Sequence, residues 1–146
     1  MKLSALIIVT FFNMNSCSSE KIGQEGKQYI EKVTYQNWVG GVKGAGGGTI
    51  LNITLLKSLP SNIELVKIQF QEREGLIIKR DDLSYQSSIK TFDNKDETIP
   101  TPIIKTGLKS TQAKVFFKID GKESTVILED VKELPMIAYP SINKRN

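Results

Sequence analysis

Histidine is absent from the 146 residues, and cysteine occurs once, at position 17. Without histidine, Ser-His-Asp and Cys-His catalysis is excluded by inventory. With no histidine and one thiol, no Cys/His zinc cluster can form. A lone cysteine also forbids an internal disulfide, so the fold must rest on its own core. Clustered lysine and arginine interleaved with a groove-reading or stacking motif is missing too, and nucleic acid is not an expected partner. No apolar run reaches the twenty or so residues that a membrane-spanning helix needs. The ten residues 3–12 are the best available. No motif for a cofactor or a metal stands out.

What remains is ordinary for one globular domain. The chain is 39% hydrophobic and 25% charged, a balance that argues against disorder. A domain of this size buries roughly two thirds of the surface its unfolded chain exposes, so it needs no metal or disulfide staple. The formal net charge is +4, a mild excess that reads as a solvated basic surface.

The N-terminus carries the clearest signal. Lys2 gives a positive start, Leu3 to Phe12 an apolar stretch, and Ser16 a small residue just before Cys17. Together they read as a secretory signal peptide over residues 1–16. Met14-Asn15-Ser16-Cys17 resembles a bacterial lipobox of the relaxed kind met in the Bacteroidetes, with Asn15 departing from the usual small residue. The resemblance implies cleavage before Cys17, diacylglycerol on its sulfur and often acylation of the new amino group. Several acyl chains give lasting attachment where a single one gives marginal binding. The cysteine is followed by Ser18-Ser19 rather than Asp, which implies the outer membrane. Only Glu20 is acidic nearby, and this favours the periplasmic face. Residues 17–28 are polar with two glycines and read as the lipidated cysteine and a flexible tether. Residues 29–146 are expected to form a single domain.

Within that domain the hydrophobic pattern has a period of two. Leu51, Ile53 and Leu55 share a face; so do Val66, Ile68 and Phe70, then Val115, Phe117 and Ile119, then Val126 and Leu128. Alternation of this kind marks half-buried strands of an antiparallel sheet. Weaker strands are expected at 29–36, 76–80 and 87–92. Asp120-Gly121 signals a hairpin, Leu59-Pro60-Ser61-Asn62 a turn, and Pro100 and Pro102 an extended connection. Met136, Ile137 and Tyr139 are expected to close the core as a last short strand. No stretch has helical periodicity. The expected fold is all-β: an antiparallel β-sandwich of about seven short strands, with an immunoglobulin-like arrangement as one form that fits.

The most distinctive segment is Trp38-Val-Gly-Gly-Val-Lys43-Gly44-Ala-Gly46-Gly47-Gly48-Thr49. Its spacing fits neither a phosphate loop, which needs Gly-Lys-Ser/Thr, nor the dinucleotide fingerprint. It reads as a turn needing positive φ or a bulged strand. The functional alternative is a binding loop made of Trp38, Lys43, Gly44, Gly46, Gly47 and Gly48. Taken singly, Trp38 reads as a core residue. Asp81, Asp82, Asp93, Asp96 and Glu97 are the densest carboxylates and read as solvated turns rather than as a glycosidase pair. Lys105, Lys109, Lys114, Lys118 and Lys122 form a loose basic series, read as a solvated face guarding a strand edge.

The segment 38–49 and the run Pro135-Met-Ile-Ala-Tyr-Pro140 together resemble a group of small uncharacterised lipoproteins of flavobacteria and their relatives. The likeness spans about residues 35–140 and implies an envelope location, with no activity attached. The expectation is therefore a lipid-anchored envelope protein that is not an enzyme. It would bind or scaffold an envelope protein or glycan and hold the membrane through Cys17. A small-ligand carrier and an Asp/Glu carbohydrate-active enzyme are the alternatives.

Overall fold

A computed structural model describes residues 25–42, 45–92 and 101–139. The expected signal peptide, Cys17, Lys43, Gly44, Asp93, Asp96, Glu97 and Pro140 lie outside the described residues. Among the described residues eight strands follow one another, where about seven were expected: β1 Ile30–Val39, β2 Gly47–Leu55, β3 Ile63–Phe70, β4 Arg73–Lys79, β5 Ser84–Phe92, β6 Ala113–Ile119, β7 Lys122–Leu128 and β8 Lys132–Ala138. The fold is all-β, as the alternation required. Among the described residues no helix is long and apolar enough to cross a membrane.

The strands form one continuous hydrogen-bonded series in the order β7-β6-β3-β4-β5-β2-β1-β8. Every neighbour is antiparallel except the pair β1 and β8. In this order β1 lies four places from β3, roughly 19 Å away if the sheet were flat. Yet the rings of Tyr35 on β1 and Phe70 on β3 are 4.8 Å apart. The sheet therefore curls until its two halves face each other. β4 makes the corner: Arg73 to Leu76 pair with β3, whereas Ile77 to Lys79 pair with β5.

The enclosed face carries the core. Leu51, Ile53 and Leu55 of β2 oppose Ile68 and Phe70 of β3 and Val115 and Phe117 of β6, all essentially without solvent contact. Each such side chain contributes about 1.5–3 kcal/mol by leaving water. On β3 the expected face is corrected. Ile63, Leu65, Ile68 and Phe70 are buried and Val66 is only half-buried. The register with β6 shifts between Leu65 and Lys67. That bulge adds one residue to β3, so the period of two changes phase in mid-strand and Leu65 replaces Val66 inside.

The turns follow local chemistry. Asp120 and Gly121 have φ of 50° and 76° and join β6 to β7 in the tight hairpin that Asp-Gly favours. The amide of Ile63 donates to Pro60 at 3.0 Å, closing the turn before β3. Residues 101–112, which include Pro102, form no strand but are tied down: Ile104 N–H donates to the Glu72 carbonyl at 2.7 Å.

Two further expectations need correction. Residues 25–27 make a helical turn, and Gly26 is buried so closely on the Phe117 ring that a methyl there would lie 2.9 Å from it. The last residues of the expected tether thus belong to the folded unit. The C-terminal run does form a strand, but β8 is an edge rather than a core closure. Met136 and Tyr139 remain 63% and 48% exposed, and Val131, just before the strand, is the residue buried there. The reason is pairing: β8 adds to β1 at the rim, where its outer side has no neighbouring strand among the described residues.

Candidate functional site

Period two sends every second residue of a strand away from the core. On β1 these are Gln36 and Trp38; on β2, Gly48, Ile50 and Asn52; on β5, Gln86 and Ser88. Cross-strand register puts Trp38 beside Gly48, Ile50 beside Ser88, and Asn52 beside Gln86. The Trp38 indole therefore lies over β2 on the outer surface, half-buried, and its assignment to the core is corrected. Gly48 makes this possible. A methyl at Gly48 would come within 2.8 Å of Trp38 Nε1 and collide with the Ile89 carbonyl oxygen.

Tyr139 completes an aromatic corner. Its amide donates to the Val39 carbonyl at 3.1 Å. This fixes its ring against Trp38, with centroids 6.1 Å apart and planes at 75°. Edge-to-face geometry is the favoured one for such a pair. From this corner a groove of about 440 Å³ runs across the sheet, lined by Trp38, Tyr139, Ile50, Ser88, Gln86 and Arg80. That volume lies within the range of small-ligand sites.

The polar end of the groove is held in place. Gln86 Nε2 donates to Asn52 Oδ1 at 3.1 Å, which orients the amide. Its Oε1 then accepts from Arg80 Nε at 3.0 Å and also from Arg80 Nη2. Arg80 Nη1 is left without a partner among the described residues, and so are the Trp38 indole N–H, the Ser88 hydroxyl and the Tyr139 hydroxyl. Among the described residues Arg80 is the only charged side chain lining the groove. The nearby carboxylates are turned to the β4–β5 turn. Asp81 accepts from the Leu83 amide at 2.9 Å and from the Ser84 hydroxyl, and these bonds hold its carboxyl below the ordinary value. Asp82 pairs with Lys79 at 2.8 Å.

On the opposite face of β1 a second polar chain docks the edge strand. Thr49 Oγ1 donates to Asn37 Oδ1 at 2.8 Å, and Asn37 Nδ2 donates to Glu133 at 3.3 Å. Burial, with Glu133 beside it, raises the Tyr35 phenol above the ordinary 10.0.

The residues singled out in sequence divide accordingly. Trp38 and Gly48 belong to the groove. Gly46 supplies a φ of +68° where the chain turns into β2, and Gly46 and Gly47 are buried in that turn and strand. Of the glycines in the expected loop, Gly46, Gly47 and Gly48 are therefore buried, and Gly44 lies outside the described residues. Of the lysine series, Lys114 and Lys118 share the outer face of β6. Lys114 and Lys67 lie 5.3 and 4.6 Å from the Phe116 ring centroid, and Lys67 pairs with Glu74 at 3.1 Å. Their stems shield an aromatic face that would otherwise be bare. Asp81 and Asp82 are turn residues, as read. Among the described residues no three acids gather as a metal site.

Sequence reasoning missed Ile50, Arg80, Gln86 and Ser88 as site residues and placed Tyr139 in the core, with an exposed partner patch around it as the alternative. One signal was available: Ile50 is an apolar residue in the outward phase of a strand whose inward phase is already filled by Leu51 and Ile53. A smaller hollow of about 230 Å³, at one end of the enclosed face, is lined by Thr49, Phe70, Gln71, Arg73, Ile89 and Thr91. Arg73 reaches across that end to the carbonyls of Thr101 and Thr91.

No protein-family model, no curated protein and no solved structure matches this chain.

Proposed function

We propose that this chain is a lipid-anchored protein of the cell envelope, held to the membrane through Cys17, and that it acts as a non-enzymatic binding module. The observation that carries the binding role is the outer-face groove. It joins two aromatic rings, a guanidinium held by Gln86 and several donors unengaged among the described residues in a concavity of ligand size. A tryptophan and a tyrosine with planes at 75° beside a hollow are side chains of the kind that dominate recognition sites. The anchor rests on the residues around Cys17, which are those of a relaxed lipobox following an export signal.

The two halves of the proposal separate experimentally. The full chain is expressed in a bacterium that processes lipoproteins, cross-linked gently, fractionated and recovered as wild type, Cys17→Ala and Trp38→Ala. Cys17→Ala should leave the membrane fraction. Trp38→Ala should stay there and lose the cross-linked component. Cys17→Ala fractionating with wild type overturns the anchor, and Trp38→Ala keeping the same adduct overturns the groove.

A further inference from the structure

The groove is chemically uneven along its length, and the unevenness points to a ligand class. At one end stand Trp38 and Tyr139, at the other Arg80 and Gln86, with the Ser88 hydroxyl and Ile50 between them. Resting on the reading of this groove as the binding site, we infer that its ligand is an acidic saccharide, a pyranose ring bearing a carboxylate.

Each part of such a ligand has a counterpart. One face of a pyranose ring is a sheet of C–H groups, weakly positive and apolar, which suits the negative face of an indole. Its rim is a fringe of hydroxyls, each both donor and acceptor. The indole N–H, the Ser88 hydroxyl and the Tyr139 hydroxyl, unengaged among the described residues, are polar groups of the same small scale. The carboxylate falls to Arg80. Gln86, itself held by Asn52, takes Nε and one Nη2 hydrogen, and Nη1 remains for an anion. A guanidinium already fixed in place loses less freedom when it binds.

Charge separates this occupant from two others. A neutral saccharide would leave the Arg80 charge unused, and among the described residues no carboxylate lines the groove to attract a cationic peptide. Asp81 and Asp82, the nearest acids, are engaged by Ser84, Leu83 and Lys79. An acidic peptide without proline would satisfy Arg80 but offers no flat C–H face to the indole, and it becomes an arm of the test. The strand edge beside the groove is also poorly suited to adding a peptide strand. Pro135 lies in β8 and brings no N–H, and its carbonyl already accepts from Gln36 Nε2 at 2.5 Å.

Trp38 is the sole tryptophan of the chain, so its fluorescence reports on the groove alone. The purified full chain in detergent is titrated with trigalacturonate, with neutral maltotriose and with triglutamate. Trigalacturonate should shift the emission saturably, and its affinity should fall as salt is raised. Maltotriose should bind about tenfold more weakly or worse, the usual loss when a charged hydrogen bond is removed. Arg80→Gln, a change at an exposed side chain, should abolish that preference while leaving the emission of the free protein and the melting temperature unchanged. Equal responses to the charged and neutral sugars, or a response to triglutamate alone, overturn the inference. So does silence toward all three while Trp38→Ala still loses the cross-linked component in cells, and that outcome leaves the groove itself standing. If that component is retained by Trp38→Ala, the underlying reading has failed instead.

Discussion

A single missing side chain sets the geometry of the site. Gly48 lies between the Ile89 carbonyl and the Trp38 indole, and neither leaves room for a Cβ. One of these neighbours is backbone and cannot swing aside. Gly48→Ala is expected to cost about 1–3 kcal/mol in chemical denaturation and to shift the tryptophan emission to the red as the indole lifts into water. An unchanged denaturation midpoint and unchanged emission would show that the indole does not lie over β2. The glycine-rich segment thus has a packing role at Gly48 and a turning role at Gly46, with φ of +68°. A glycine run looks the same in sequence whether it frees a loop or makes space for a ring. Only the register, Trp38 opposite Gly48, tells the two apart.

Among the elements, the β3–β4 hairpin departs most from local preference. Gln71 and Glu72 both have positive φ, 45° and 60°, without the Asn-Gly chemistry such a turn prefers. A left-handed backbone costs an ordinary residue about 1–2 kcal/mol. Glu72→Gly should therefore stabilise the protein by about 1 kcal/mol, read as a higher melting temperature with the same cooperativity. A lower melting temperature would mean that the Glu72 side chain matters more than its backbone strain. This turn was illegible in sequence for the same reason: nothing at 71–72 marks it. The Asp120-Gly121 hairpin was legible because its residues match its backbone. Strands were legible wherever one face is buried, as at Leu51, Ile53 and Leu55. The face of β3 was half misread, because a bulge leaves no mark in the residue types around Val66. The groove was largely hidden. It is assembled from β1, β2, β5, the β4–β5 turn and the residue after β8, and only pairing order brings Trp38 to Tyr139 across about 100 positions of sequence.

At the scale of the whole molecule, one curled sheet has two surfaces with different tasks. The inner one is spent on stability, with aliphatic and aromatic side chains from both halves closed against each other. The outer one divides again. Over β3 and β6 the half-buried aromatic Phe116 is shielded by Lys67 and Lys114. Over β1, β2 and β5 the aromatic pair stands open to a groove. That contrast within one surface is the strongest physical argument that the groove is kept open for a ligand. It also gives the most direct test. A photo-activatable side chain is placed at Ser88, in the groove, or at Thr125, exposed on the outer face of β7, in the full chain produced in living cells. Illumination should give a discrete adduct from position 88 and none from position 125. Adducts of equal yield from both positions, or from position 125 alone, would contradict the assignment of this face as the binding surface.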